Sequence, residues 1–252
     1  MANTCSTIWL LGASSGIGAE LAPGLLARCE RLVISARRRE RLEAVRDTLS
    51  ERGGDVRVLP VDVVEADAVA AAAQDIAHQV GVPDLVIYNV GDYEPAGMDQ
   101  LDPAVFERIT RINYLGAVNC LAAVVPMMRA SGGGRILINA SLSGYAGLPH
   151  AAAYGPTKAA LINLAESLHP ELARAGIHLG VINHGFVRTR LTEKNEFTMP
   201  QLLEPATAAA AILEHLDDPG FEIRFPRRLA LMLGLLRMLP YRLFFALTRR
   251  LV

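Results

Sequence analysis

The chain has 252 residues and half of them are apolar, so a single α/β domain with a well-filled core is within reach. Its formal net charge of −1 argues against nucleic acid or an acidic polymer as a partner. Cys5, Cys29 and Cys120 lie far apart, which excludes a disulfide framework and a cysteine metal site and makes a reducing, cytoplasmic setting the expectation.

The N-terminal stretch "MANTCSTIWLLGASSG" has no basic n-region, and its apolar run leads directly into glycines. It predicts a first strand over 7–12 and not a signal peptide. Further short apolar runs predict strands over 31–36, 56–61, 84–89, 135–140 and 178–183, with "FEIRF" (221–225) as a last one. Between them, "RRERLEAVRDTLSERGG" and "EADAVAAAAQDIAHQVG" carry helical periodicity closed by glycines. Asp102 followed by Pro103 offers an N-cap and a first-turn proline. Strands alternating with helices imply a parallel sheet covered on both faces. The expected fold class is therefore α/β: a single Rossmann-like doubly wound sheet over 1–225, with a C-terminal helical tail over 226–252. In such sheets ligands bind beyond the carboxyl ends of the strands, so the residues after each apolar run carry the function.

The first of those positions is a glycine turn. Gly12, Gly16 and Gly18 enclose Ser14, Ser15 and Ile17 and open a helix. Backbone without side chains can approach a pyrophosphate, and the helix N-terminus adds free N–H groups and a positive dipole end. After the second strand, "SARRRERLE" puts Ala36 where an NAD-binding fold carries a ribose-binding carboxylate, and Arg37 follows. A carboxylate would repel a 2′-phosphate and a guanidinium clasps one, so NADP(H) is expected over NAD(H), with Arg37 as the contact. Arg39 and Arg41 are assigned to a solvated helix face.

"YGPTK" (154–158) raises a different chemistry. On a helix Tyr154 and Lys158 share one face, and in a closed pocket the ammonium would favour the phenolate. With the glycine turn and this pair together, the sequence resembles the classical short-chain dehydrogenases/reductases, in order and spacing, from about residue 5 to 190. The family's glycine motif appears as Leu11–Gly18 with Leu11 in place of threonine, and its Asn-Asn-Ala-Gly as "YNVG", keeping Asn89 and Gly91.

The resemblance implies that Asp62 and Val63 hold the adenine end. It also implies that Asn113 bends its helix and holds a water on the route from Lys158 to solvent, that Gly185 keeps the glycine of the family's Pro-Gly at the cofactor, and that Thr189 reaches the carboxamide. Ser141, favoured by spacing over Ser143, would donate to the substrate oxygen, and Tyr154, acidified by Lys158 together with the positive nicotinamide of the oxidised complex, would act as general acid or base. His184 stands where the family has proline, either touching carboxamide or substrate or only filling that place. Pro170 should kink the helix that carries Tyr154.

The tail "PRRLALMLGLLRMLPYRLFFALTRRLV" predicts two short helices broken at Pro240 and too short to span a bilayer. Three jobs suit it: packing over the substrate cleft, forming a subunit interface, or lying on a membrane surface. The function expected is NADP-dependent hydride transfer between nicotinamide and a hydrophobic carbonyl or secondary alcohol. The alternatives are an extended-type epimerase or dehydratase, and a non-catalytic dinucleotide sensor. The resemblance further implies a homodimer or homotetramer; no metal is expected.

Overall fold

The computed structural model describes residues 5–50, 53–195, 197–217 and 220–251. Seven strands form one parallel sheet: β1 (Cys5–Leu11), β2 (Cys29–Ser35), β3 (Asp55–Val58), β4 (Leu85–Tyr88), β5 (Gly134–Asn139), β6 (Ile177–His184) and β7 (Glu222–Phe225). Their order is β3-β2-β1-β4-β5-β6-β7, so the direction of winding reverses between β1 and β4 and opens a crevice there. The third strand is shorter than predicted because Pro60 has no N–H to donate. Leu59 and Val61 on either side of it still bond to the carbonyls of Ile34 and Ala36, at 3.0 Å each.

Both faces of the sheet are covered, and the alternation along each strand feeds two cores. Trp9, Leu11, Val86 and Tyr88 enter one core, shared with α3 (Ala66–Val80), α5 (Gly116–Ala130) and α6 (Tyr154–Arg174). Ile8, Leu10, Leu85 and Ile87 enter the other, shared with α1 (Gly16–Leu26), α2 (Arg39–Ser50) and α7 (Pro205–Glu214). Trp9 is fully buried and spends its single donor on Ser35 Oγ at 2.9 Å.

α4 (Pro103–Thr110) starts as the sequence predicts, with the Asp102 carboxylate accepting the Ala104 N–H at 2.9 Å. It does not stop before α5; a π turn over Arg111–Leu115 joins the two. The Ile112 carbonyl inside that turn accepts from the Tyr88 hydroxyl at 2.6 Å. α6 passes through Pro170 without ending and continues to Arg174. After β7 come α8 (Arg227–Met238) and α9 (Tyr241–Thr248), separated at Leu239–Pro240 as predicted. α8 buries Leu229, Ala230 and Leu233 against Leu142, Tyr145, Leu148 and Phe186.

Candidate active site

A cleft of about 1250 Å³ runs along the carboxyl ends of the strands, from Arg37 at one end to the tail helices at the other. The glycine turn forms its floor. Gly12 has φ +85°, and a Cβ there would lie 2.8 Å from the Asn89 carbonyl. Gly18 sits behind the turn, where a Cβ would collide with the Gly12 carbonyl oxygen, so it shapes the turn and does not line the cleft. Ser14, Ser15, Gly16 and Ile17 do line it. Ser15 occupies the N-cap of α1 without a side-chain cap bond, so the helix N-terminus keeps donors free toward the cleft.

Beyond the turn lie Asp62 and Val63, and then a group of arginines. Arg37 lines the cleft as expected, together with Arg38, Arg41 and Arg190. Partial desolvation and then the charges of Arg41, Arg190 and Arg37 lower the Arg38 pKa, with Glu40 acting the other way. Arg39, by contrast, turns outward to Glu43 at 3.6 Å, four residues along α2. Arg41 therefore belongs to the site and not to the solvated face to which its helical position assigned it. Four guanidiniums converging on one spot make a place that favours a multiply charged anion.

At the centre of the cleft Tyr154 opens α6 and Lys158 follows one turn later. The Lys158 Nζ lies 5.4 Å from the centre of the Tyr154 ring and donates to the Asn139 carbonyl at 2.8 Å. Burial pulls the Lys158 amine down to about 7. Burial also raises the Tyr154 phenol above its ordinary value, with the neighbouring Ser141 hydroxyl pulling it down and Tyr93 pushing it up. The ring keeps partial exposure along the cleft wall. Among the chain's own groups burial dominates the phenol, and the Lys158 amine is directed at the Asn139 carbonyl.

Ser141, not Ser143, is the hydroxyl beside Tyr154. Its Oγ accepts the Ser143 N–H at 3.1 Å and makes a long bond of 3.3 Å to the His184 carbonyl, so the proton is free to turn toward a better acceptor. Its backbone N–H is held at 3.1 Å by Asn183 Oδ1, and Asn183 donates to Glu222 on β7 at 2.6 Å. The Tyr145 hydroxyl donates to the same carboxylate.

Asn113 lies in the π turn, fully buried and off the cleft wall. Its Oδ1 accepts the Asp92 N–H at 2.7 Å, and its Nδ2 donates to the Asp92 carbonyl and to Thr157 Oγ1, both at 3.0 Å. Thr157 in turn donates to the Tyr154 carbonyl at 2.7 Å. With both amide hydrogens committed, this side chain is a clamp that fixes the start of α6. Gly91 sits between Asn113 and Lys158, and a Cβ there would come within 3.7 Å of both polar atoms. A second set of amides ties the strand ends together. Asn139 donates to Asn89 at 2.6 Å, and Asn89 donates to the Gly12 carbonyl at 3.1 Å.

The substrate side is walled by Tyr93, His184, Gly185, Phe186 and the tail. The Tyr93 ring meets Tyr154 edge-on at 5.2 Å, and its hydroxyl donates to Asn195 at 2.5 Å. Lys194 latches the same loops together through the Tyr93 carbonyl at 2.8 Å and Glu94 at 2.7 Å. His184 stacks near Phe225, and its Nδ1 lies 2.7 Å from the Gly185 carbonyl. Burial lowers its pKa to about 4, the Gly185 bond opposing and the Lys158 charge reinforcing, so the ring is neutral at physiological pH. Gly185 lines the cleft, but its lack of a Cβ also serves packing: Leu229 and Pro226 stand 2.9 Å from where one would be. Thr189 leans over the glycine turn, its Cγ2 3.1 Å from a Cβ built on Gly16. Of the tail, Leu229, Met232, Leu233, Leu235, Leu236, Leu239 and Leu247 reach the cleft.

Comparison with known proteins decides the family. The short chain dehydrogenase family matches over residues 6–199. An uncharacterized oxidoreductase of Myxococcus xanthus is 35% identical over 248 residues, 97% of either chain. The chain belongs to the short chain dehydrogenase family. The mouse dehydrogenase/reductase SDR family member 7 is 30% identical over 201 residues, covering 76% of this chain and 60% of that protein. Among solved structures, an alcohol dehydrogenase from Thermococcus sibiricus, complexed with 5-hydroxy-NADP, superposes with TM-score 0.79 at 24% identity, covering 87% of this chain and 95% of that one. A Burkholderia phymatum short chain dehydrogenase/reductase in complex with NAD gives 0.83 at 19% identity, covering 92% and 93%. Both share the fold.

A short chain dehydrogenase binds a nicotinamide dinucleotide, and the residues of this one fit the group. The cleft exceeds the roughly 300–1,000 Å³ that holds a single drug-sized ligand. Asn139 Oδ1, buried among the cleft residues, has no hydrogen-bond partner among the described residues, as expected of an acceptor reserved for a ligand. Several residues of the site had no signal in one sequence: Tyr93, Asn139, Asn183 and Arg190 are ordinary residues whose placement comes only from folding. Arg38 and Arg41 did have one, the density of arginine after β2.

Proposed function

We propose that this short chain dehydrogenase is an NADP(H)-dependent oxidoreductase that interconverts a hydrophobic ketone or aldehyde and the matching alcohol. The single observation behind this reading is the placing of the Tyr154 phenol between the Ser141 hydroxyl and the Lys158 amine, midway between an arginine-lined end and an apolar end of one cleft.

Bound dinucleotide supplies or accepts the hydride. Gly12, Ser14, Ser15, Gly16 and Ile17 would hold its pyrophosphate, Asp62 and Val63 its adenine end, and Asn89, Gly91, Lys158, Gly185 and Thr189 the nicotinamide half. Arg37, with Arg38, Arg41 and Arg190, supports the preference for a 2′-phosphate. The chain's own residues then manage one proton. Ser141 Oγ turns from the His184 carbonyl to the substrate oxygen, a better acceptor once charge grows on it. Tyr154 Oη gives its proton to the same oxygen, or takes it back in the oxidative direction. Lys158 keeps its amine close to the ring, and Asn113 holds the segment that carries both.

The described residues after β6 supply the loop over 185–200 and helices α8 and α9 as walls of the same cleft and form no separate substrate domain, which speaks against the epimerase reading. The test is NADPH consumption over a panel of aliphatic, cyclic and aromatic carbonyls, with NADH in parallel. Turnover of none of them by a protein that binds NADPH would leave the sensor reading standing.

A further inference from the structure

The tail helices roof the cleft with one side and present another side to the exterior. On α8, Leu231, Leu235 and Met238 recur at the spacing of one helical face and are exposed by 65%, 56% and 80%. On α9, Leu243, Phe245 and Leu247 are likewise exposed. The six charged residues of 226–252 are all arginines: Arg227, Arg228, Arg237, Arg242, Arg249 and Arg250. They carry +6 in a chain whose net charge is −1, so the remaining residues carry −7. Large apolar side chains are interleaved with basic ones, and no acid tempers them.

We propose that α8 and α9 form a docking surface for an anionic lipid bilayer, lying flat on it beside the mouth of the cleft. The helices have 12 and 8 residues, about 18 and 12 Å at about 1.5 Å per residue, against a hydrocarbon core of about 30 Å, so they lie on the membrane and do not cross it. A second copy of this chain fits the patch poorly. A two-fold interface sets the surface against itself and would crowd arginine against arginine with no carboxylate from either tail. An anionic headgroup layer offers the opposite charge and an apolar depth for the leucines and phenylalanine. Leu235 and Leu247 are at once exposed and part of the cleft wall, so apolar surface continues from outside to inside. On the reading given above, a carbonyl dissolved in lipid would reach Tyr154 along it.

Vesicle flotation of the full chain tests the docking without any turnover, so its failure and that of the enzymatic reading are separable. Vesicles of phosphatidylglycerol mixed with phosphatidylcholine are expected to retain the protein at least tenfold better than phosphatidylcholine alone, with release by high salt. Each arginine near such a surface is worth about fivefold, so Arg237→Ser/Arg242→Ser is expected to weaken retention about 25-fold. Leu231→Ser/Phe245→Ser removes the apolar contacts and is expected to cost at least tenfold. Neither pair touches the cleft, and NADPH binding is expected to stay within about twofold of wild type, which also reports folding. Equal retention on both vesicle types, retention on neither, or insensitivity to salt overturns the proposal. So does a wild-type dimer in sedimentation that Leu231→Ser/Phe245→Ser splits. Should a variant lose NADPH binding, the salt series on wild type decides alone.

Discussion

The two ends of the cleft are built by different means. At the glycine turn, specificity comes from backbone approaching backbone: Gly12 against the Asn89 carbonyl, Gly18 against the Gly12 carbonyl, and a helix N-terminus with free donors. At the tail it comes from side chains alone, a leucine- and methionine-rich roof over Leu142 and Phe186. Backbone contacts admit few residue types, whereas an apolar wall admits many. On the proposed function, the first end takes one chemical group and the second admits a range of hydrophobic molecules. Tyr154 stands at the join, and the sharpest tests ask whether each end can be damaged without the other.

The largest effect is expected at the join itself. Tyr154→Phe removes the proton that the substrate oxygen needs and leaves the ring in place. Loss of a positioned general acid typically costs 10²–10⁴-fold, so kcat is expected to fall about a thousandfold. NADPH affinity, read by fluorescence titration, is expected to change by less than about twofold. A variant that turns over near the wild-type rate would break the assignment outright.

Next comes a stability effect that needs no substrate. Lys158 is deprotonated in the folded protein above about 7, whereas an unfolded lysine keeps its proton up to about 10.4. Between those values the unfolded chain binds more protons, so unfolding free energy rises with pH. Over two pH units the gain is at most about 2.7 kcal/mol by that linkage. His184, lowered to about 4, contributes a rise of the same sign between about 4 and 6.5, complete before the lysine window opens. Urea unfolding at pH 7 and pH 9 is expected to show wild type gaining stability relative to Lys158→Met, a comparison in which the opposing contribution of the buried Cys29 and Cys120 thiols, raised to about 12, cancels. Parallel profiles for the two proteins would mean that the amine is better solvated than its 2% exposure implies.

How much of this was legible in the sequence follows the same division. The alternation of strands and helices, the glycine turn, Arg37 and the Tyr154–Lys158 pair could be read because strand ends and helical spacing are local properties, and backbone approach restricts residue choice. Asp62 came only through the family resemblance, and the order of the strands is set by non-local pairing. The arginine cluster was half legible: Arg37, Arg38 and Arg41 adjoin in sequence, but Arg190 arrives from the loop after β6, and Arg41, assigned from sequence to a solvated helix face, lines the cleft. The Asn113 clamp depends on a π turn that no spacing announces. Burial, which shifts both Tyr154 and Lys158, is a property of the whole fold and leaves no local signal in the sequence. Tyr93 and Asn139 carried no pattern at all.

At the phosphate end, Arg37→Ala tests cofactor choice. A charge-assisted bond is worth about 1.5–3 kcal/mol, and three neighbouring guanidiniums remain, so the lower end applies. NADPH affinity is expected to fall about tenfold while NADH changes by less than about twofold. Adding Arg38→Ala and Arg190→Ala should deepen the loss for NADPH only. Equal losses for both dinucleotides would mean that the cluster serves the pyrophosphate or the fold, not a 2′-phosphate.

The smallest effect is expected at the other end, and it separates the two ends most cleanly. Met232 is 57% exposed yet lines the cleft, so Met232→Ala leaves the core packing of Leu229, Ala230 and Leu233 intact. If the tail is a wall for an apolar substrate, the truncation removes contact worth about 0.8 kcal/mol per buried methylene, or about fourfold for each. That loss belongs to binding in ground state and transition state alike, so it should raise KM about fivefold for a long-chain carbonyl and leave kcat alone. A short carbonyl that ends before reaching α8 should be unaffected, and so should NADPH. Equal losses for both substrates would show that Met232 acts through the position of α8. No change for either would move the substrate wall to the loops around Tyr93 and Phe186, leaving the outward face of the helices as their remaining use.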